Sequence, residues 1–316
     1  MHPNQEKSSC GCHNEATENC GVQFSQNDKF HQAVAEYNTD LCCKETKAAC
    51  QAIIGEQAEQ YRTPEGLRYL LSTVEMTTLA ITDSDESVLR MVEDTNALFE
   101  RHPDWKPYAT ICVYPNFVRL VSESLEVEGI KVACVTGAFP SSQTFLEIKT
   151  IETALAVNSG ADEVDMVLSV GRFNSGDYET VFDEIAEIKA AAAGRPVKVI
   201  LESGIHSCVS SVKKAALLSM YAGADFIKTS TGMLPQVATP EAAYAMAQAI
   251  KEYYDKTGIR VGLKISGGVR TVEDALAYYA IARHFLSQEW FDQGLFRIGT
   301  SRLAQPLIAA IEAMEA

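Results

Sequence analysis

A (β/α)8 barrel with an N-terminal extension is the fold this sequence predicts, on three observations. From about residue 65, short β-branched runs alternate with amphipathic stretches through eight repeats, the pattern of parallel strands joined by crossover helices. A length of 316 residues accommodates one such barrel with sequence to spare at the N-terminus. A doubly wound open sheet is the alternative for this alternation, but the glycine-rich dinucleotide turn after its first strand is absent.

The predicted strands are 73–78, 108–113, 130–136, 163–169, 197–202, 225–230, 261–265 and 296–299. Helical spacing occupies 86–101, 115–127, 143–158, 177–193, 208–222, 240–257 and 271–286, and 303–315 closes the series. In 177–193, Tyr178, Val181, Phe182, Ile185 and Ile188 recur at three- and four-residue steps on one face. Thr239 before Pro240 and Glu241 starts one helix, and Thr271 with Glu273 and Asp274 starts another. The first 60 residues stand apart, with helical stretches near 28–37 and 44–60 behind a cysteine-rich polar leader. The expected division is therefore an extension over 1–60 and a barrel over 61–316. The extension is free to pack on the barrel or to mediate assembly, a homodimer included.

Composition excludes several classes of function. Net charge is −15, from 27 basic against 42 acidic residues, which argues against nucleic acid or an anionic membrane as partner. No stretch approaches the roughly 20 apolar residues of a membrane span. The opening Met-His-Pro-Asn-Gln-Glu-Lys lacks the apolar core of a secretory signal, so a cytoplasmic address is expected. Cys112, Cys134 and Cys208 lie in or beside apolar runs and read as small hydrophobes in a reducing compartment. Cys10, Cys12, His13 and Cys20 offer soft-metal ligands but lack the paired spacing of a structural zinc site, so a loosely attached leader is expected there.

Two lysines carry the chemistry. Lys228 ends the run Gly-Ala-Asp-Phe-Ile-Lys, and Lys264 sits inside Val-Gly-Leu-Lys-Ile-Ser-Gly-Gly. A lysine in a half-buried strand loses hydration, and a second ammonium beside it lowers its pKa until a free amine exists near neutral pH. Snorkelling to water would account for one of them and accounts poorly for both. Active sites of such barrels lie at the C-terminal ends of the strands, where Lys228 falls. Alternation sets Phe226, Lys228 and Ser230 on one face, and Gly262, Lys264 and Ser266 on the corresponding face of the next strand, about 4.8 Å away. Asp165 lies inside the fourth strand, where an unpaired carboxylate is costly. It is read either as a proton relay paired with Lys264 or as a buried ion-pair partner with no catalytic duty. Ser266-Gly267-Gly268 after the seventh strand and Gly299-Thr300-Ser301 after the eighth, the latter opening a helix, read together as an anion site, the alternative for either alone being a tight turn.

The ordered motifs Ala-Asp-Glu-Val-Asp-Met-Val, Gly-Ala-Asp-Phe-Ile-Lys-Thr-Ser-Thr-Gly and Gly-Leu-Lys-Ile-Ser-Gly-Gly-Val-Arg closely resemble those of the deoxyribose-phosphate aldolases, class I aldolases on a (β/α)8 barrel. Thr77-Thr78-Leu79, Ile111-Cys112-Val113-Tyr114-Pro115 and Ala238-Thr239-Pro240-Glu241 extend the likeness over residues 66 to 312. The resemblance implies that Lys228 forms a Schiff base with the substrate carbonyl, Lys264 perturbs its pKa and Asp165 relays protons. It implies further that Thr77 and Cys112 line the pocket, and that Gly232, Gly267, Gly268, Gly299 and Ser301 hold a phosphate. The implied partners are a sugar phosphate and small aldehydes, with no metal and no organic cofactor. Its alternatives are a lysine aldolase with another aldehyde pair and a non-catalytic sugar-phosphate-binding barrel.

Some positions depart from the family pattern. Met233 stands where lysine is frequent, Arg302 where a second serine is expected, and Glu75 where aspartate precedes the Thr-Thr pair. The sequence ends at Ala316 without the family's terminal tyrosine tail. Arg302 is expected to restore the charge missing at Met233. Every residue given a chemical role lies beyond position 70, so the extension is expected to be dispensable for catalysis.

Overall fold

Each of eight short strands pairs in parallel with the next, and the last pairs with the first, in the computed structural model, which describes residues 29–316 apart from Gln236 and Gln293. The strands are β1 (Val74–Thr77), β2 (Thr110–Val113), β3 (Lys131–Thr136), β4 (Glu163–Val167), β5 (Val197–Ile200), β6 (Phe226–Lys228), β7 (Gly262–Ser266) and β8 (Phe296–Thr300). Closure is made by Val74 opposite Ile298 and Glu75 opposite Gly299. The sequence places all eight strands correctly but runs β4, β5 and β6 past their ends, because polar and apolar residues that leave the sheet continue the same alternation.

The helices are α1 (Lys29–Ala35), α2 (Cys43–Gln57), α3 (Pro64–Ser72), α4 (Asp85–Arg101), α5 (Val118–Ser124), α6 (Leu146–Asn158), α7 (Val170–Asn174), α8 (Tyr178–Ala191), α9 (Val209–Tyr221), α10 (Pro240–Thr257), α11 (Val272–Phe285), α12 (Gln288–Asp292) and α13 (Ala304–Glu315). Thr239 and Thr271 cap α10 and α11 as expected, their hydroxyls accepting the Ala242 and Asp274 N–H groups at 3.1 Å. Helices α3, α7 and α12 were not anticipated. The signal for α3 was present in Thr63-Pro64-Glu65, and the Thr63 hydroxyl accepts the Gly66 N–H at 3.0 Å.

The described part of the extension joins the main core. Phe30, Val34 and Tyr37 of the α1 region and Cys50 and Ile53 of α2 are buried in the same apolar cluster as the barrel helices. The Lys213 ammonium, buried on α9, donates to the Asn38 carbonyl at 2.7 Å and pairs with Glu252 at 2.9 Å. Cys10, Cys12, His13 and Cys20, the metal ligands weighed above, lie outside the described residues. Among the described residues no cluster of three His, Cys, Asp or Glu is arranged to hold a metal, and no helix is long and apolar enough to cross a membrane.

Candidate active site

Alternation along the strands sets one face toward the barrel interior, where Glu75, Cys112, Asp165, Lys198, Lys228 and Lys264 are all buried. Register sets Lys228 directly opposite Lys264 and Asp165 opposite Lys198. Glycine makes room where these chains are long. A Cβ on Gly262 would meet the Phe226 ring at 2.2 Å, and one on Gly299 would meet Lys264 Cε at 2.9 Å. Gly299, expected to serve a phosphate, thus also clears space for the second lysine.

Asp165 is the hub. Its Oδ2 accepts from Lys228 Nζ at 2.8 Å and from Lys264 Nζ at 2.7 Å, while its Oδ1 accepts from Lys198 Nζ at 2.9 Å. Lys264 also donates to Glu75, and Lys198 pairs with Glu163 Oε2 at 2.7 Å. Arg297 Nη2 stands 3.7 Å from Glu163, and Lys131 reaches the same carboxylate at 3.2 Å from a half-exposed position. The three carboxylates of this hydrogen-bonded network, Glu75, Glu163 and Asp165, are therefore matched by Lys198, Lys264 and Arg297. A fourth buried cation on Lys228 would be in excess, which favours its neutral amine.

The titration directions agree with that balance. Burial lowers the Lys228 pKa from the ordinary lysine value, and the Lys264 charge adds to it against the opposing pull of Asp165. Burial is the larger of the two causes, the sequence having pointed to lost hydration and a second ammonium together. For Lys264 burial acts downward too, but Asp165 and Glu75 together raise it, so it stays charged. Burial would raise Asp165, yet Lys198, Lys228 and Lys264 hold it well below the usual carboxylate range.

A cavity of about 340 Å³ opens over Lys228 at the C-terminal ends of the strands. Thr77, Gly232, Gly267, Gly268, Gly299, Ser301 and Arg302 all line it. Arg270 lines it as well, and no carboxylate does among the described residues, so the wall presents Lys228 and two guanidiniums in a chain of net charge −15. The loops are stitched together: the Thr229 hydroxyl donates to the Ser266 carbonyl at 2.9 Å and accepts the Ser266 N–H at 2.8 Å. Gly267 and Gly268 hold φ of +87° and +88°, which only glycine adopts without strain.

Two expectations need correction. Cys112 is fully buried in a small apolar cluster with Leu79, Ala133 and Val135 and is not part of the cavity wall. Of the amides after β8, those of Arg302 and Leu303 are taken by the Thr300 hydroxyl at 3.1 Å and are not offered to an anion. Residues the sequence reading left out include Lys198, Glu163, Arg270 and Glu202. Glu202 sits at φ +53° with its carboxylate 3.3 Å from the Thr231 N–H, pinning the turn that carries Gly232. Burial raises its pKa despite that hydrogen bond. The period-two alternation of Glu163 with Asp165 and the lone lysine in Val-Lys-Val were the available signals.

A sequence model described as DeoC/LacD family aldolase matches residues 74–296. A deoxyribose-phosphate aldolase of Homo sapiens is 35% identical over 240 residues, 73% of this chain and 76% of that protein. One of Mus musculus is 40% identical over 197 residues, 62% of each chain. Among solved structures, a tetrameric deoxyribose phosphate aldolase from Aeropyrum pernix superposes with a TM-score of 0.62 at 26% identity, covering 83% of this chain and 98% of that one.

Proposed function

The chain belongs to the DeoC/LacD family of aldolases, and on that footing we propose that it reversibly cleaves 2-deoxy-D-ribose 5-phosphate to acetaldehyde and D-glyceraldehyde 3-phosphate through a Schiff base on Lys228. One observation carries the reading: a buried lysine of lowered pKa opens onto a cavity whose wall, among the described residues, adds two arginines and no acid. An electrophilic carbonyl and an anionic tail are what such a cavity recognises.

The uncharged Lys228 Nζ attacks C1 of the open-chain sugar, and loss of water from the carbinolamine gives an iminium. The iminium draws in the C2–C3 bonding pair as the C3 hydroxyl gives up its proton. D-Glyceraldehyde 3-phosphate leaves and an enamine remains. Protonation at the enamine carbon and addition of water then release acetaldehyde and free the amine. Because the iminium is the electron sink, these steps call for neither a metal nor an organic cofactor. Asp165, 2.8 Å from the reacting nitrogen and held ionised by its lysine partners, relays protons through a water. Lys264 contributes a fixed positive charge. Arg270, Arg302 and the Gly232, Gly267 and Gly268 turns face the phosphate. The role that follows is carbohydrate degradation fed by deoxyribonucleotide breakdown, with the cytoplasm as its expected compartment.

A coupled assay for D-glyceraldehyde 3-phosphate released from 2-deoxy-D-ribose 5-phosphate tests the reading. Cleavage that disappears in Lys228→Leu is expected. Absence of cleavage, or a preference for a donor other than acetaldehyde in the reverse direction, would move the chain to another lysine-dependent aldolase reaction.

A further inference from the structure

The N-terminal end of the barrel, opposite the cavity over Lys228, holds a second cavity of about 240 Å³. It opens between α3, the segments that lead into β2 and β3, and the start of β8. In barrels of this kind the chemistry sits at the other end, so this cavity lies outside the aldol reaction. Its walls are mainly apolar, built from Tyr69, Pro107, Tyr108, Phe291 and Phe296. Cations enter at two depths: Lys106 and Lys131 are exposed at the rim, and Arg297 is buried, with 8% of its surface accessible. Among the described residues the acid that lines the cavity is Glu128, also exposed.

The protein itself uses little of the Arg297 guanidinium. Among the described residues its hydrogen bond is the one from Nε to the Gly294 carbonyl at 2.7 Å. Glu163 stands 3.7 Å from Nη2, beyond hydrogen-bond distance, and is already held by Lys198 at 2.7 Å and Lys131 at 3.2 Å. The Phe226 ring, whose centre lies 5.7 Å from the guanidinium carbon, offers no carboxylate or carbonyl acceptor. Of the five N–H donors of a guanidinium, the two Nη groups carry four. Burying such donors without acceptors is costly, and a planar fork of this kind matches a carboxylate through two parallel hydrogen bonds.

We propose that this cavity binds a small organic carboxylate built on a single aromatic ring, its carboxylate on the Arg297 fork and its ring against the aromatic walls. Lys106 and Lys131 draw the anion to the rim against the one charge of Glu128. Volume sets the size of the ligand, since drug-sized molecules fill roughly 300–1,000 Å³ and this cavity is smaller. The walls set its body. An aromatic ring packs edge-to-face or offset against Tyr108, Phe291 and Phe296, a gain that a bare inorganic anion does not make. A sugar phosphate would leave its hydroxyls unpaired against walls of this composition.

Saturation-transfer difference NMR of phenylacetate titrated into the full chain tests this. Saturable binding is expected, with a Kd on the order of 1 mM or tighter for a ligand of this size. Arg297→Lys keeps the charge beside Glu163 but loses the fork, and should weaken binding about tenfold. Lys106→Met/Lys131→Met alters two exposed side chains, so it folds even where the Arg297 variant does not, and should weaken binding by about threefold or more. Phenylacetamide, uncharged and of the same shape, should bind at least about tenfold more weakly, and equimolar inorganic phosphate should not displace phenylacetate. Arg270→Ala/Arg302→Ala, at the opposite end of the barrel, should leave the Kd unchanged, which separates this site from the cavity over Lys228. Absence of saturable binding to the wild type would overturn the proposal. So would binding indifferent to the Arg297 and lysine substitutions, equal binding of the amide, displacement by phosphate, or loss of binding in Arg270→Ala/Arg302→Ala.

Discussion

Removing the Lys264 charge should move the whole pH–rate profile. Lys228 and Lys264 both donate to one oxygen of Asp165, at 2.8 and 2.7 Å, so their ammonium groups lie no more than about 5.5 Å apart. At an effective dielectric of about 20, two unit charges about 5 Å apart repel by about 3 kcal/mol, which corresponds to about two pKa units. Deleting Lys264 alone would also strand Glu75, so the useful variant is Lys264→Met with Glu75→Gln, which removes one cation and one anion together. Raising the Lys228 pKa leaves less free amine at neutral pH. Loss of the Glu75 anion opposes part of that rise, so the expected result is an alkaline shift of the profile of up to about two units and a fall in kcat/KM at pH 7 of up to about a hundredfold. The assay is the initial rate of 2-deoxy-D-ribose 5-phosphate cleavage from pH 6 to 10, with the folded state checked at each pH. A large loss with no displacement of the profile would refute the reasoning and make Lys264 a positioning group.

Arg270→Ala and Arg302→Ala should each lower kcat/KM for the phosphorylated sugar by roughly tenfold or more, one charge-assisted contact being worth about 1.5–3 kcal/mol, while leaving free deoxyribose nearly unaffected. Equal losses on both sugars would assign them to the fold. Glu163 is pushed down to about 2 by Lys198 and Arg297 against the upward effect of burial, so its contribution is present above the usual 4.5 and lost as pH falls through about 2. That contribution is about 3 kcal/mol, so Glu163→Gln should weaken denaturant stability at neutral pH by at least that amount and flatten the acid limb, and an unchanged acid limb would contradict it. Removing residues 1–28 should leave turnover intact, since every residue lining the cavity lies at or beyond Thr77. Extending the deletion through α2 strips Phe30, Val34, Tyr37, Cys50 and Ile53 from the core and should lower thermal stability by several kcal/mol, so an unaltered melting temperature would show that these helices are dispensable.

The barrel and the two lysines proposed for the chemistry were legible because they obey local rules. Strand alternation is a period of two, and a lysine at the end of an apolar run needs no partner to be noticed. The network around them was not legible in the same way. Lys264 and Glu75 are 189 residues apart, and Lys228 and Asp165 are 63 apart, so the balance of three anions against three cations exists only once the barrel closes. Arg302 was foreseen from its position after β8, but Arg270 was passed over inside a quoted motif because its direction into the cavity depends on the turn at Gly267 and Gly268. Cys112 was misplaced for the converse reason. Its strand position is the interior one, but Leu79 and Val135 pack around it and exclude it from the cavity. The extension carries no barrel unit in its sequence, and its packing on the barrel, one of the two options open to it, shows only in the contacts of the folded chain.

The central claim is that Lys228 is the amine that bonds to substrate. Incubation with acetaldehyde, reduction with borohydride and mass mapping of the proteolysed protein measure it directly. An ethyl adduct confined to Lys228, absent from Lys228→Leu and formed faster as pH rises through neutrality, is the predicted result. An adduct on Lys264 or Lys198, or none on Lys228 under conditions where the protein turns over, would contradict the account.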